Sequence, residues 1–312
     1  MVLETKTIKV MRLAAIDIGS NAARLLISEV VESGDAKPQF QKLILVRVPL
    51  RLGFDVFEDN IISKEKETMI LKTIRAYKLL IDVYGVENLR ACATAAMRDA
   101  VNGPGILQRV KDETGIEIEI ITGDVEATLI YENHVAENMN TENSYLYIDV
   151  GGGSTELTFF ANGKLGFKRS FNIGTIRLLK KQVDEFMWDE MRDFIRRETK
   201  GHTGDVVAIG SGGNINKVFS MSKRKEGKPL HIESLKDYYR ELNSVSIEER
   251  MKIYKLREDR ADVIVPALSI YINVMRWANI QEIYVPKIGL ADGLIQHLYE
   301  EISLKVKGIS AG

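Results

Sequence analysis

The sequence predicts an α/β protein built from two similar units that face one cleft. Three observations carry this expectation. The stretch Tyr147-Ile148-Asp149-Val150-Gly151-Gly152-Gly153-Ser154-Thr155-Glu156-Leu157 reads as a buried strand, a glycine turn and a second strand. An earlier stretch, Ala15-Ile16-Asp17-Ile18-Gly19-Ser20-Asn21-Ala22-Ala23-Arg24-Leu25, repeats the design, with Asp17 falling on Asp149, Gly19 on Gly151 and Leu25 on Leu157. The length, 312 residues, suits two domains with a core each.

The elements follow from periodicity and breakers. Arg12–Ile18, Arg24–Val31 and Phe40–Val48 alternate as three antiparallel strands, broken at Gly19-Ser20-Asn21 and at Ser33-Gly34-Asp35. Asn60–Tyr84 spaces Met69, Ile70, Ile74, Tyr77, Leu80 and Ile81 as a helix does, with Ser63 as its cap and Gly85 as its stop. Asn88–Ala93 is a strand. Thr94 caps a helix that breaks around Asn102-Gly103-Pro104 and resumes to Thr114, and Ile116–Ile121 alternates as a strand. Thr122-Gly123-Asp124-Val125-Glu126 opens a helix to about Asn138, the expected crossing between domains 1–125 and 126–312. After a polar loop at Asn140–Asn143, the strands Tyr145–Val150, Ser154–Ala161 and Lys164–Phe171 repeat the opening, with Asn162-Gly163 as a hairpin turn. Helices are expected over Asn172–Gln182 and Asp184–Thr199, and a strand over Asp205–Ile209. A glycine turn, Gly210-Ser211-Gly212-Gly213-Asn214, opens another short helix. Ser222–Lys228 is a basic loop. Leu235–Leu242, Ser246–Leu256 and a long apolar Asp259–Trp277 containing Pro266 read as helices, Gln281–Val285 as the last strand and Gly289–Glu300 as the closing helix.

The chemistry gathers at the glycine turns. Residues without a Cβ let backbone N–H groups approach an anion closely. A strand-interior acid must be paired, ligated or catalytic, and an ordinary hairpin needs neither such an acid nor three glycines. Ser154 adds a hydroxyl, and alternation puts Glu156 on its face. The grip on a phosphate is therefore assigned to Gly19, Ser20, Asn21, Gly151, Gly152, Gly153 and Ser154. Arg24 and Arg98 are the cations, since a guanidinium forks onto phosphate oxygens. Arg98 stands one helical turn beyond Thr94, so both can face one site and Thr94 joins the phosphate ligands, whereas alternation leaves the direction of Arg24 open. Asp149, Glu156 and Asp17 are the metal-ligating acids, and oxygen donors at a phosphate favour Mg2+.

Composition excludes other classes. A formal net charge of −1 argues against general nucleic-acid binding, while leaving room for a local basic channel. The four histidines, His134, His202, His231 and His297, lack zinc spacing, and Cys92 sits in an apolar run as a core thiol. No run reaches membrane-spanning length, and Met1–Val10 lacks an apolar signal core, so a cytoplasmic location is expected.

Asp17-Ile18-Gly19-Ser20-Asn21 with Arg24-Leu25, Ala93-Thr94-Ala95-Ala96-Met97-Arg98-Asp99-Ala100, and Asp149-Val150-Gly151-Gly152-Gly153-Ser154-Thr155-Glu156-Leu157 resemble the exopolyphosphatase/guanosine pentaphosphate phosphohydrolase (Ppx/GppA) family, within the actin/hexokinase/Hsp70 superfamily. The resemblance runs from about Met11 to about Tyr299. It implies two RNase H-like (actin-like ATPase) domains with mixed sheets and an interdomain cleft, and a closing helix, about 289–304, packed back on the first domain. It also implies a Mg2+-dependent hydrolase that releases terminal orthophosphate from inorganic polyphosphate or, alternatively, acts on guanosine pentaphosphate, and a homodimer. The residues alone offer Glu126 only as an acid at a helix start, where the helix N-terminus would keep it ionised. The resemblance makes it the catalytic base, because the family's Glu-Glu-Ala-Arg segment reads Val125-Glu126-Ala127-Thr128 here, with Asp124 as the alternative. It likewise makes Arg260 a phosphate ligand.

Four positions depart from the family pattern. Ala22 stands for a hydroxyl, Thr128 for an arginine, Asn214 for a threonine and Ala291 for an arginine. The missing arginines would weaken a polyanion channel, and longer members carry a further helical domain beyond the point where this chain ends. A non-catalytic polyphosphate or nucleotide sensor and a kinase of the same fold are the competing expectations.

Overall fold

The structure is a computed structural model and describes residues 8–33, 37–129, 144–161, 164–201, 206–286 and 289–306. Strands β1 (Ile8–Ile18), β2 (Ala22–Ser33) and β3 (Gln39–Pro49) form an antiparallel meander. Helices α1 (Gly53–Asp59) and α2 (Lys64–Val83) lead to β4 (Asn88–Ala93), which pairs parallel with β1. Then α3 (Ala95–Asp99) and α4 (Gly103–Thr114) precede the short β5 (Glu119–Ile120), giving the sheet order β3-β2-β1-β4-β5. A helix, α5, is described over 123–129.

The design then recurs. Strands β6 (Ser144–Val150), β7 (Thr155–Ala161) and β8 (Lys164–Phe171) make a second meander. Helices α6 (Thr175–Leu179) and α7 (Glu185–Thr199) lead to β9 (Val206–Ser211), parallel to β6. Next come α8 (Gly213–Met221), β10 (Leu230–His231), α9 (Ile232–Asn243), α10 (Ile247–Ile253), α11 (Glu258–Ala261), α12 (Ile264–Trp277) and β11 (Glu282–Tyr284). The second sheet runs β10-β11-β9-β6-β7-β8. Helix α13 (Leu290–Val306) returns to pack on β1, β2 and β4 of the first sheet.

Alternation sets the cores. On β1, Ala14, Ile16 and Ile18 face α2 through Ile70, Ile74 and Tyr77, while Leu13 and Ala15 face α13 through Leu290, Leu294 and Leu298. Both faces of the strand are covered, which is why it reads as nearly continuous apolar sequence. In the second sheet Leu146, Ile148, Leu157 and Phe159 share a core with Ile264, Leu268 and Tyr271 of α12.

Several boundaries differ from expectation. The helix expected from Asn60 is two, because Asn60 turns left-handed (φ 56°) and caps α1, and Ser63 then starts α2 by accepting from the Lys66 amide. The strand expected over Ile116–Ile121 pairs only at Glu119–Ile120, and the helix expected over Asn172–Gln182 is the five-residue α6. The long helix expected from Asp259 breaks between α11 and α12, and Pro266 lies in the first turn of α12, where its missing N–H costs nothing. The helix end at Asn138, the Asn140–Asn143 loop and the Asn162-Gly163 turn lie outside the described residues.

Candidate active site

Each sheet carries a row of side chains across its strands at the turn end. In the first, Cys92, Asp17, Arg24 and Arg47 are direct neighbours on β4, β1, β2 and β3. In the second, Ser211, Asp149, Glu156 and Ser170 are direct neighbours on β9, β6, β7 and β8. Cross-strand neighbours share a face, so each row points one way. The rows share the acid, Asp17 and Asp149, but Arg24 stands where the second row has Glu156, and Arg47 where it has Ser170.

The glycine turns also match. The Gly19 N–H donates to the Ala22 carbonyl at 3.0 Å, and the Gly151 N–H to the Ser154 carbonyl at 2.9 Å. They press together: a Cβ on Gly152 would lie 2.8 Å from Ser20 Cβ, and one on Gly153 would lie 2.4 Å from Phe57 Cζ. Two of the three glycines therefore serve the contact between halves as well as any ligand. Gly174 lets the chain pass so close that a Cβ there would stand 2.4 Å from the Gly152 carbonyl oxygen.

Hydrogen bonds orient the acids. Ser154 Oγ and Ser170 Oγ both donate to Glu156 Oε1, at 2.6 and 2.9 Å. Ser211 Oγ donates to Asp149 Oδ1 at 2.8 Å, and the buried Tyr271 hydroxyl donates to the Ser211 carbonyl. Arg24 Nη1 donates to Asp17 Oδ2 at 2.6 Å, which settles the direction that alternation left open. Helix α5 starts against this row, since a Cβ on Gly123 would lie 2.8 Å from Ser170 Cβ and 3.3 Å from Glu156 Oε1. Glu126 follows one turn later, half-buried.

The acids are close enough to feel one another. Burial, then the charges of Glu156, Asp149 and Asp17, hold Glu126 well above the usual carboxylate range, and Arg98 pulls against the rise. Burial, then Asp149, pushes Glu156 up to about 7 despite its two serine donors. Asp149 is raised by burial, against the pull of Ser211 and Arg24. Burial opposes the charge of Arg24, yet Asp17, Asp149 and Glu126 together outweigh it. The shift runs opposite to the one expected of a helix start: burial, and then three carboxylates, push the Glu126 carboxyl up where a helix end alone would hold it down.

The remaining expected residues are placed as follows. Arg98 Nη1 donates to the Ile121 carbonyl at 3.0 Å. The Thr94 carbonyl accepts from the Arg98 amide, and the Thr94 side chain is buried without capping α3. Asn21 Nδ2 donates to the Asp259 carbonyl at 2.9 Å, so this side chain ties the first turn to α11. Arg260 borders Gly213 beside Arg24. Ser170, Ser211, Tyr271, Arg47 and Asp259 escaped the sequence reading. Ser211 lay in a recognised glycine turn, whereas Ser170 needs the register of β8 to be seen.

Among the described residues no three His, Cys, Asp or Glu side chains form a ready-made cage for a metal. The donor set still fits Mg2+, which takes one or two carboxylates and completes its shell with water and phosphate. Carboxylates raised first by burial and then by one another's charges are what a cation would relieve.

Two mixed sheets of repeated β-β-β-α-β design, with matched glycine turns and acids, define an α/β protein of the actin-like ATPase type. The chain belongs to the Ppx/GppA phosphatase family, whose match spans residues 27–301. It is 36% identical over 172 residues to a bifunctional 3-dehydroquinate synthase/phosphatase of Fusobacterium nucleatum, covering 54% of this chain and 26% of that one. It is 25% identical to exopolyphosphatase 1 of Mycobacterium tuberculosis over 91% of this chain and 87% of the relative. It is also 25% identical to a guanosine-5'-triphosphate,3'-diphosphate pyrophosphatase of Photobacterium profundum, over 93% of this chain and 59% of the relative. The chain therefore spans about a quarter of the first relative and well over half of the third. The crystal structure of the Aquifex aeolicus Ppx/GppA family member superimposes with a TM-score of 0.72 at 27% identity, covering 94% of this chain and 99% of that one.

Proposed function

We propose that the protein removes terminal orthophosphate from inorganic polyphosphate. The observation that supports this reading is the convergence of Asp149, Glu156 and Glu126 beside Arg24 and Arg98, where two matched glycine turns meet. In this reading the amides of Gly19–Asn21 and Gly151–Ser154, with the hydroxyls of Ser20 and Ser154, hold phosphoryl oxygens, and Arg24, Arg98 and Arg260 neutralise them. Thr94, at the start of the turn that carries Arg98, adds a hydroxyl to the same phosphate site. A divalent cation, Mg2+ by its liking for oxygen, would be held by Asp149, Glu156 and Asp17 and would polarise the phosphoryl group. Water attacks the terminal phosphorus in line with the bridging oxygen. Its proton passes to Glu126, the bridging P–O bond breaks, and the shortened chain leaves with the bonding electrons. Glu126 must be ionised to accept that proton, and Arg98 is the side chain that favours this form.

The reading takes the chain as two domains, 1–125 and 126–312, closing on the substrate. A cytoplasmic setting suits the single, buried thiol at Cys92, and sedimentation would test a homodimer. A second reading, removal of the 5'-phosphate of guanosine pentaphosphate, is supported by the Photobacterium relative. Phosphate release from both substrates by wild type and Glu126→Gln, with Mg2+ and with chelator, is the test. Glu126→Gln is expected to lower kcat by about 10²–10⁴-fold. Full activity in that variant would remove Glu126 as base. Binding without turnover by the wild type would replace the hydrolase with a sensor.

A further inference from the structure

The first row ends in a residue that the reaction above does not use. Arg47 is directly opposite Arg24 on adjacent strands, an arrangement in which like charges destabilise a sheet. A third guanidinium joins them: a Cβ on Gly213 would lie 3.1 Å from Arg260 Nη2 and 3.6 Å from Arg24 Nη2. Arg24 is satisfied by Asp17. The Arg260 side chain makes no hydrogen bond or ion pair among the described residues, and burial with Arg47 and Arg24 nearby brings its pKa down to about 10. Arg47 Nη1 lies 2.5 Å from Asp259 Oδ2, and Arg257 Nε lies 3.9 Å from Asp259 Oδ1. Arg47 Nε is buried with no hydrogen-bond partner. Asp259 is the carboxylate that acts on both Arg47 and Arg260. Three arginines thus share one acid, partly out of water, and the deficit is negative charge.

We propose that Arg47 extends the Arg24–Arg260 cluster and binds a phosphate group of the substrate beyond the reacting one, and that Asp259 occupies Arg47 until that phosphate displaces it. Neighbouring strands lie about 4.8 Å apart, which sets the backbone of Arg47 about 10 Å across the sheet from that of Asp17. A phosphate reaching Arg47 is therefore several units along a chain, or the distal diphosphate of a nucleotide. The site rests on the proposed reaction only for the identity of its ligand.

Equilibrium binding of tripolyphosphate, long-chain polyphosphate and guanosine pentaphosphate, measured by calorimetry with chelator, tests it. Arg47→Ala is expected to weaken a long ligand about tenfold more than tripolyphosphate. Arg47→Lys should recover part of that loss, and Asp259→Asn should tighten the same ligand. A preferential loss for the long chain assigns the site to polyphosphate, and one for the nucleotide assigns it to the distal diphosphate. Equal changes for all three ligands overturn the site, as does weaker long-ligand binding in Asp259→Asn, which decides the matter should Arg47→Ala fail to fold. Phosphate release is measured separately: its absence beside a preferential binding loss sinks the hydrolase and leaves the site standing.

Discussion

Glu126 and Glu156 are two interacting carboxyls that the fold pushes upward, and their protons should be visible in stability. Both are raised in the folded protein, first by burial and then by neighbouring carboxylates. Between the ordinary glutamate range and about 7, the folded state holds protons that the unfolded chain has released. Stability is full at low pH on this account and is lost as pH rises through the folded value. Without divalent metal, Tm is expected to fall from about pH 5 to about pH 8, and Glu156→Gln should flatten that fall. A Tm that climbs over the range would contradict the burial assigned to Glu156. Sequence alternation sufficed to put Ser154 and Glu156 on one face. It did not supply Ser170, because a donor fourteen residues away is a neighbour only once β7 and β8 are in register. Nor did it reveal that the Glu126 carboxyl is pushed upward, since beyond burial the charges responsible come from Glu156, Asp149 and Asp17 on three strands.

At the scale of elements, the turn at Gly151–Ser154 depends on how closely α6 approaches it. The Thr175 and Ile176 amides donate to the Gly151 and Gly152 carbonyls at 3.0 and 2.9 Å, and Gly174 makes that approach sterically free. Gly174→Ala sets a methyl against backbone that cannot rotate away, so urea unfolding should report a loss of about 1–3 kcal/mol. Gly85→Ala is its control for space, having nothing within 4 Å of the added carbon but a left-handed backbone (φ +59°); its loss should be that of the strain alone, about 1 kcal/mol. A larger loss at Gly85 would mean that the contact at Gly174 is loose. The α11–α12 break shows where pattern reading fails. Apolar spacing runs smoothly through Asp259–Trp277, and Pro266 looked like a tolerated interior residue. The break sets Asp259 and Asp262 against Arg47 and Arg51, and those partners are over two hundred residues away in sequence.

The halves of the molecule meet through polar contacts as well as through the apolar packing of Ile176 and Val263 on the first core. Arg51 pairs with Asp262 at 2.5 Å, Arg177 with Asp99 at 2.6 Å, and Asn21 with the Asp259 carbonyl. Several buried atoms along this seam, among them Asn21 Oδ1, Arg51 Nη1 and Asp262 Oδ1, have no hydrogen-bond partner. Contacts of that kind are cheap to exchange for water, so the halves are suited to opening. Small-angle scattering of Glu126→Gln should show a smaller radius of gyration with polyphosphate and Mg2+ than without; an unchanged value would rule out closure. The repeated meander was legible because each copy carries its own acid and glycine turn. The seam was not, being made by charged residues that pair only after both halves have folded. One connection remains, that of α13. Its Leu294 and Leu298 complete the layer formed by Leu13, Leu26 and Cys92, although those strands are among the earliest made. A ribosome working from the first residue onward therefore produces a sheet with one bare apolar face, and must synthesise the entire second meander before the covering helix exists. Newly made chains carry that exposure for most of translation, when chaperones have their longest opportunity to bind.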